Sequence, residues 1–191
     1  PHLSTYGLTI EKGTSFWNRQ QSGLFDLPAD DLAGNMYEFS LDYLASRGLQ
    51  HYEISNFAKP GFECQHHLNV WRMGNWRGVG PSAASQVGAA RFSNPHGLHQ
   101  WAECVAQDKT PPLERIGRAE RIKEKLCFGL RMNEGVGSEV IEELNGAEKE
   151  KLESFLGRLE SEGYLSRKDG RIRLTFEGRM VADEISRWIL D

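Results

Sequence analysis

The side chains best suited to chemistry are concentrated in one segment, residues 62–76, which reads FECQHHLNVWRMGNW. It contains Cys64, the adjacent pair His66 and His67, and two tryptophans, Trp71 and Trp76. Cysteine and histidine are usual ligands of zinc, but a closed structural site needs about four of them, generally from two short-spaced pairs. The chain has no CxxC or HxxxH pair that would complete such a set, which argues against structural zinc.

Three other interpretations of this segment stay open. Cys64 could act as a nucleophile if His66 lowered its pKa, although neighbours in sequence need not have the required geometry. A histidine could be an axial ligand of haem iron, with indole rings packing against the porphyrin. Alternatively, His66 or His67 forms hydrogen bonds within a loop while Trp71 and Trp76 fill a core. The residue types and their spacing do not choose among these three.

A second candidate segment, residues 78–85, reads GVGPSAAS. It lacks the third glycine of the dinucleotide fingerprint and the lysine of a P-loop, so it is a poor match to a nucleotide-phosphate site. We expect a tight strand-to-helix turn capped by Ser82, with small side chains that would let the backbone approach a cofactor. Glu11, Glu53 and Glu63 are isolated carboxylates, and no catalytic residue is predicted.

The composition is that of an ordinary globular protein. The 191 residues are 39% hydrophobic and 26% charged, and the pI is about 5.9. Nucleic acid binding needs a concentrated basic surface, so the formal charge of -4 predicts no nucleic acid partner. The apolar runs are too short to span a bilayer. The three cysteines, Cys64, Cys104 and Cys127, are scattered, and both observations predict a cytoplasmic protein. Because the chain starts at Pro1, we expect it to be the rear portion of a longer protein.

The first part of the chain, residues 1–92, alternates strand and helix patterns. β-forming residues predict strands at His2–Ile10 and His51–Phe57. Between them, Asp30 is the expected cap of a helix that ends near Gly48. Its apolar stripe comprises Leu32, Met36, Phe39, Tyr43 and Leu44. A strand–helix–strand unit favours parallel pairing through a helical crossover, as in an α/β barrel or an open sheet.

The last part of the chain, residues 113–191, has a different pattern. Residues 93–112 end in two prolines and are taken as a linker that could hold a short helix. Amphipathic helices follow, one of them capped by Ser138, and Asp169 and Gly170 between β-forming residues predict a hairpin. Thr175 is the expected cap of a last helix. Helices followed by a hairpin predict a small, helical, winged-helix-like α+β domain.

Charge argues against DNA binding by this last domain. It has about 15 lysines and arginines against about 17 aspartates and glutamates. The acidic residues are concentrated in helices that would have to be basic or rich in amides to read DNA. A packing or lid role is therefore favoured.

Several segments together resemble one known family. Five segments occur in this chain in the order in which the family has them: LTIEKGT, YEISNFAKPG, the Cys64–Trp71 motif, GVGPSAAS and LTFEGRMVADEI. The chain resembles the C-terminal part of the radical S-adenosylmethionine proteins that include oxygen-independent coproporphyrinogen III oxidase and the haem chaperone HemW. The chaperone branch is the more similar of the two.

The resemblance implies which residues contact a cofactor. The chaperone branch carries a His-Asn-x-x-Tyr-Trp element implicated in haem binding, and His66 and Trp71 match its first and last positions. His67 stands for the asparagine and Val70 for the tyrosine. By this resemblance His66 is the first candidate ligand of haem iron, His67 the alternate, and Trp71 a packing partner. Separately, Thr9 and Ala84 match positions near S-adenosylmethionine.

The resemblance also implies a fold and a division of functions. The family has a partial TIM-like barrel that holds S-adenosylmethionine and a 4Fe-4S cluster, followed by a helical C-terminal domain, so both predicted strands would be late barrel strands. The CxxxCxxC motif that binds the cluster is absent here, so this chain by itself is expected to be inactive as a radical enzyme. Porphyrin oxidation by an oxidoreductase is the alternative to haem delivery.

The expected partners follow from the same resemblance. They are haem or another porphyrin, a protein that accepts haem, and a second copy in a homodimer. An incomplete barrel would leave strand edges and apolar surface uncovered, so poor solubility or self-association of this chain is also expected.

Overall fold

The computed structural model of this protein describes residues 1–191. The fold is mixed α/β, with three small sheets in which every strand pair is antiparallel. The chain divides into two compact units, residues 1–63 and residues 64–191. No helix is both long enough and apolar enough to cross a membrane.

The first unit is built on a sheet of three strands. Its elements are β1 (His2–Ser4), α1 (Ser15–Gln21), α2 (Asp30–Ser46), β2 (Gln50–Glu53) and β3 (Asn56–Ala58). The strand order is β1-β3-β2, so β3 lies in the middle, and its Phe57 is fully buried. The helix α1 was not expected from the sequence. Thr14 caps it by accepting a hydrogen bond from the backbone N–H of Trp17 at 3.2 Å.

The prediction that the two strands pair in parallel is wrong. The segment His51–Phe57 is a hairpin, because residues 54 and 55 turn the chain back and β3 inserts between β1 and β2, antiparallel to both. The buried Glu53 carboxylate stabilises the turn by accepting hydrogen bonds from the Ser55 backbone N–H, at 3.1 Å, and from the Asn56 amide. A local turn with its own carboxylate therefore replaces the crossover that the strand–helix–strand pattern favoured.

Helix α2 begins at Asp30, so the prediction that Asp30 is its cap is wrong by one position and Ala29 is the cap residue. Its apolar stripe, however, does not face a core. Only Leu44 is buried, whereas Leu32, Met36, Phe39 and Tyr43 are between 44% and 66% exposed. Phe39 stacks on Tyr43 with ring centroids 5.5 Å apart, and the Arg47 guanidinium lies 4.7 Å from the Tyr43 ring. Helical spacing therefore identified the stripe but not its surroundings.

The second unit contains two sheets and most of the helices. The sheet strands are β4 (Ala84–Val87), β5 (Ala90–Ser93) and β6 (Glu114–Arg115), then β7 (Val136–Gly137), β8 (Leu165–Lys168) and β9 (Arg171–Leu174). The helices are α3 (Gln65–Trp71), α4 (Leu98–Ala106), α5 (Arg118–Leu130), α6 (Glu139–Glu142), α7 (Gly146–Ser161), α8 (Phe176–Met180) and α9 (Ala182–Leu190). The strand orders are β4-β5-β6 and β7-β9-β8.

The predicted hairpin is confirmed. Asp169 and Gly170 both have positive φ, 53° and 69°, and the flanking residues Lys168 and Arg171 are paired in the ladder. Two successive positive φ angles match the right-handed twist of the strands, which is why Asp-Gly is favoured at such turns. Thr175 caps α8 as expected, since its hydroxyl accepts a hydrogen bond from the Gly178 N–H at 3.1 Å.

The core of the second unit surrounds α5. Leu126 and Leu130 of α5 are buried with apolar residues from α7 and α9 and with Ile172 of β9. The buried residues contributed by α7 and α9 are Leu152, Leu156, Leu159, Ile185 and Ile189. Three helices and a hairpin thus share one apolar interior, in keeping with a stripe of buried positions on each helix.

A matched pair of glycine substitutions tests how tightly α8 packs. A Cβ at Gly178 would overlap the Tyr164 backbone carbonyl, whereas a Cβ at Gly157 in α7 would meet nothing within 4 Å. We expect Gly157→Ala to stabilise the protein by about 0.5–1 kcal/mol, the helix preference for alanine. Gly178→Ala should destabilise it by about 1–3 kcal/mol, the usual cost of overpacking. Urea denaturation of both variants measures the change in the free energy of unfolding, which should rise for Gly157→Ala and fall for Gly178→Ala. Equal changes in the two variants would contradict this packing.

The exposed stripe on α2 predicts self-association of this chain. Four large apolar side chains within one helix face form the kind of surface that soluble monomers rarely expose. We expect the wild-type chain to elute in size-exclusion chromatography at concentration-dependent volumes, and the double variant Met36→Glu and Phe39→Glu to shift toward the monomer. Lys168→Glu, on the exposed hairpin of the other unit, is the control. Unchanged elution of the double variant would rule out α2 as the contact.

Candidate functional site

Helix α3 carries the two histidines and Trp71 that the sequence singled out. It runs from Gln65 to Trp71, so it is only two turns long. His67 and Trp71 are four residues apart and share one face of the helix. His66 is rotated away from that face. It is exposed, whereas His67 is half-buried, and the two imidazole centroids are 6.2 Å apart.

Trp71 anchors α3 to the end of α5. Its indole packs edge-on against Phe128, with ring centroids 5.8 Å apart, and the Arg131 guanidinium lies 5.1 Å from the indole centroid. Arg131 also donates from Nη1 to Asp183 of α9 at 2.9 Å. An arginine over an indole is a favourable cation–π contact, and here it joins α3, α5 and α9. Trp71 therefore packs within the protein, and its contact with haem stays a prediction.

Three buried polar atoms near this contact have no hydrogen-bonding partner in the protein. They are Nδ1 of His67, Nε1 of Trp71 and Nε of Arg131. Buried polar groups are normally hydrogen-bonded, so unpartnered ones in one cluster mark a place where an external polar group could bind. The two histidines thus differ. His66 offers a solvent-facing imidazole, and His67 offers a shielded nitrogen.

The turn that follows α3 is held by two asparagines. The Asn69 amide donates to the backbone carbonyl of Asn75 at 2.9 Å, and the Asn75 side-chain oxygen accepts from the Gly88 N–H at 2.8 Å. Met73 adopts a positive φ of 57° and is buried. This turn connects α3 to the β4–β5 hairpin, where Trp76 forms a bridge to Gln86.

A buried polar network links that hairpin to α5, and sequence reasoning missed it. Gln86 and Arg91 are cross-strand partners, and Arg91 Nη2 donates to the Gln86 side-chain oxygen at 2.8 Å. Arg91 also binds both carboxylate oxygens of Glu124, at 3.0 and 2.8 Å. The hydrogen bond to Glu124, followed by its charge, raises the pKa of Arg91 against the opposing effect of burial. A bidentate pair of this kind fixes the orientation of both elements.

The segment 78–85 has a different role from the predicted one. Its last two residues, Ala84 and Ser85, begin the strand β4, so Ser82 does not cap a helix. Ser82 has a positive φ of 62°, and its hydroxyl is 2.8 Å from Nδ1 of His96. The Asn94 amide holds the turn by donating to the Gly80 carbonyl at 2.8 Å. The strand-to-helix prediction is wrong because the small residues enter a hairpin.

The remaining predicted contact residues lie at the surface. Ala84 is exposed at the start of β4. Thr9 is exposed in the loop that follows β1 in the first unit, since the strand ends at Ser4. No position in the structure brings three histidine, cysteine or acidic side chains together as a metal site.

Among the cysteines, Cys127 is the most strongly shielded. It is buried in α5 and its Sγ lies 3.6 Å from the Ser186 carbonyl. Burial raises the pKa of the Cys127 thiol to about 12. Cys64 and Cys104 are partly exposed. Cys127 therefore has a packing role, because a thiol that stays protonated and shielded is not a nucleophile.

Thiol alkylation tests this difference. At pH 8 roughly one in ten thousand Cys127 side chains would be a thiolate, given its raised pKa. We expect iodoacetamide to modify at most Cys64 and Cys104 in the native protein and all three cysteines after unfolding in urea. Peptide mass spectrometry identifies the sites. Modification of native Cys127 as fast as Cys104 would show that the α5–α9 packing opens readily.

Comparison with known proteins identifies a family model and several relatives to which this chain is similar. Residues 116–181 match the family model described as HemN C-terminal domain. The haem chaperone HemW of Lactococcus lactis is 32% identical over 196 residues, a match that covers 100% of this chain and 51% of the relative. A mouse mitochondrial protein named for its radical S-adenosyl methionine domain is 31% identical, with 96% of this chain and 45% of that protein covered.

A solved structure has the same fold. Coproporphyrinogen III oxidase (HemN) from Escherichia coli, described as a radical SAM enzyme, superposes with a TM-score of 0.65 at 19% identity. The match covers 86% of this chain and 42% of that protein. The chain therefore spans about half the length of the relatives it matches.

Proposed function

We propose that this chain, which is similar over its whole length to the haem chaperone HemW, is the C-terminal part of a radical S-adenosylmethionine protein that binds and delivers haem. The observation that supports this most directly is the orientation of α3. Trp71 packs against α5, and His66, on another face of the same helix, is left exposed. An exposed imidazole on a helix anchored by its neighbour can reach the iron of an incoming haem.

The proposal gives three residues of α3 separate roles. His66 donates a ring nitrogen lone pair to haem iron, and the anchored Trp71 fixes the direction from which His66 approaches. His67 is the alternate ligand, because its buried Nδ1 has no partner in the protein. A propionate or a water molecule could equally satisfy that nitrogen, so the two histidines have to be tested separately.

The cofactors of the family fit this chain unequally. Three cysteines that are far apart in sequence, one of them buried with a raised pKa, do not fit the ligand set of a 4Fe-4S cluster. We therefore assign no step through a cluster to this chain. For S-adenosylmethionine we keep Thr9 and Ala84 as proposed contacts, supported by the resemblance and by the exposure of both residues.

The finer fold assignment is also a proposal. We assign residues 1–92 to the late part of a partial TIM-like barrel, residues 93–112 to a linker and residues 113–191 to a winged-helix-like domain. The order helix, strand, helix, helix and hairpin from α5 to β9, with β7 paired to β9, supports the winged-helix assignment. A cytoplasmic location, an acceptor protein and a homodimer remain part of the proposed function.

Haem titration tests the ligand assignment. We expect His66→Ala to shift the Soret band and to weaken haem binding at least tenfold, about 1.4 kcal/mol. His67→Ala should change either property less, since its ring is half-buried. His99→Ala, an exposed histidine on α4, is the matched control. Unchanged spectra and affinities in both α3 variants would overturn the proposal.

An anaerobic activity assay separates haem delivery from the competing enzymatic function. The fold similarity to HemN makes coproporphyrinogen oxidation the alternative. We expect the full-length protein, with its cluster reconstituted, to bind haem but to form no protoporphyrinogen from coproporphyrinogen. Sustained turnover would favour the oxidase.

A further inference from the structure

We propose that a groove between α5, α7 and α9 is a second binding site of this protein, and that it takes a planar aromatic ligand bearing carboxylates, such as a porphyrin. The groove encloses about 370 Å³, and its lining includes Lys123, Lys151, Phe155, Arg158 and Trp188. These side chains are separate from those of α3. The choice of a porphyrin as occupant rests on the proposed function, whereas the site itself rests on the groove.

The aromatic part of the groove is the indole of Trp188, which contacts Phe155 but is otherwise open to solvent. Phe155 and Trp188 are nearly parallel, at 27°, with ring centroids 6.4 Å apart. Phe155 is half-buried, so it braces one side of Trp188, yet Trp188 stays 63% exposed. A large indole left open to water is an unused apolar surface, and a flat ring system can stack on it.

The charged part of the groove suits carboxylates. Lys123 and Lys151 take part in no ion pair, and the Arg158 guanidinium lies 5.3 Å from the Phe155 ring without a carboxylate partner. Elsewhere in this unit, Arg91 and Arg167 are ion-paired. Glu148 and Asp191 also line the groove, so the site is not uniformly basic. Unpaired cations beside an exposed indole match a ligand with a flat apolar ring and acidic substituents.

The groove is built on rigid elements. Leu152 and Leu156 of α7 and Ile185 and Ile189 of α9 are buried in the core of the unit. Leu152 and Ile189 also line the groove, so its floor is part of the core and the positions of its side chains are set by the helices that carry them. Substitution of the exposed Trp188 should therefore leave the fold intact.

Iron-free protoporphyrin IX is the probe that tests the groove independently of haem ligation. It has the flat ring and two carboxylates but no metal for His66 to bind. We expect quenching of tryptophan fluorescence on titration, at least tenfold weaker binding with Trp188→Ala, and near wild-type binding with Trp188→Phe. Lys151→Ala should weaken binding severalfold and reduce its dependence on salt. Lys168→Ala, on the exposed β8–β9 hairpin, is the matched control for lost charge.

The outcomes distinguish this proposal from the proposed function. Binding of protoporphyrin IX that depends on Trp188 and Lys151 but survives His66→Ala supports the groove, whatever the result of the haem titration. Failure of wild-type protein to bind protoporphyrin IX overturns it, as does equal binding by Trp188→Ala, Lys151→Ala and Lys168→Ala. Binding of ATP at the groove in place of the porphyrin would also overturn it, because the aromatic, negatively charged ligand of the groove would then be a nucleotide.

Discussion

The packing of Trp71 against Phe128, under the guanidinium of Arg131, is the interaction on which the candidate site depends. A helix as short as α3 has little stability of its own, because the cost of nucleating a helix is recovered only over longer lengths or through tertiary contacts. Trp71, together with the buried Leu68 of the same helix, provides that contact and determines which face of α3 is covered. His66 is exposed because Trp71 is not.

Helix α5 extends the same constraint through the second unit. Its last turn holds Trp71, its middle holds Arg91 through Glu124, and its buried face packs with α7 and α9. A displacement of α5 would therefore be felt at α3, at the β4–β5 hairpin and at the Trp188 groove together. The Arg91–Glu124 pair limits such displacement, since breaking a largely buried, bidentate pair leaves a charge without its partner.

The side chains of this chain are suited to binding. Imidazoles, indoles and cations are placed on helices whose opposite faces are buried, which gives them defined directions without blocking them. In the proposed function, this chain contributes surfaces that hold a porphyrin, and its three scattered cysteines do not fit the ligand set of a cluster. The two proposed porphyrin contacts, on α3 and in the α7–α9 groove, use different chemistry. One ligates iron, and the other stacks on a ring and neutralises carboxylates.

Local patterns in the sequence were enough for the Asp169–Gly170 hairpin and the Thr175 cap, and they placed the start of α2 within one residue, because each depends on neighbouring residues. The resemblance to HemN and HemW was also readable from the order of motifs. Tertiary structure alone decided that β3 inserts between β1 and β2, that the α2 stripe is exposed, and that Ser82 enters a hairpin. It also decided that His66 faces solvent while His67 is shielded. The reason is physical: these features depend on contacts between residues far apart in the chain, such as Trp71 with Arg131 and Arg91 with Glu124, and no local pattern specifies which distant side chain will cover which face.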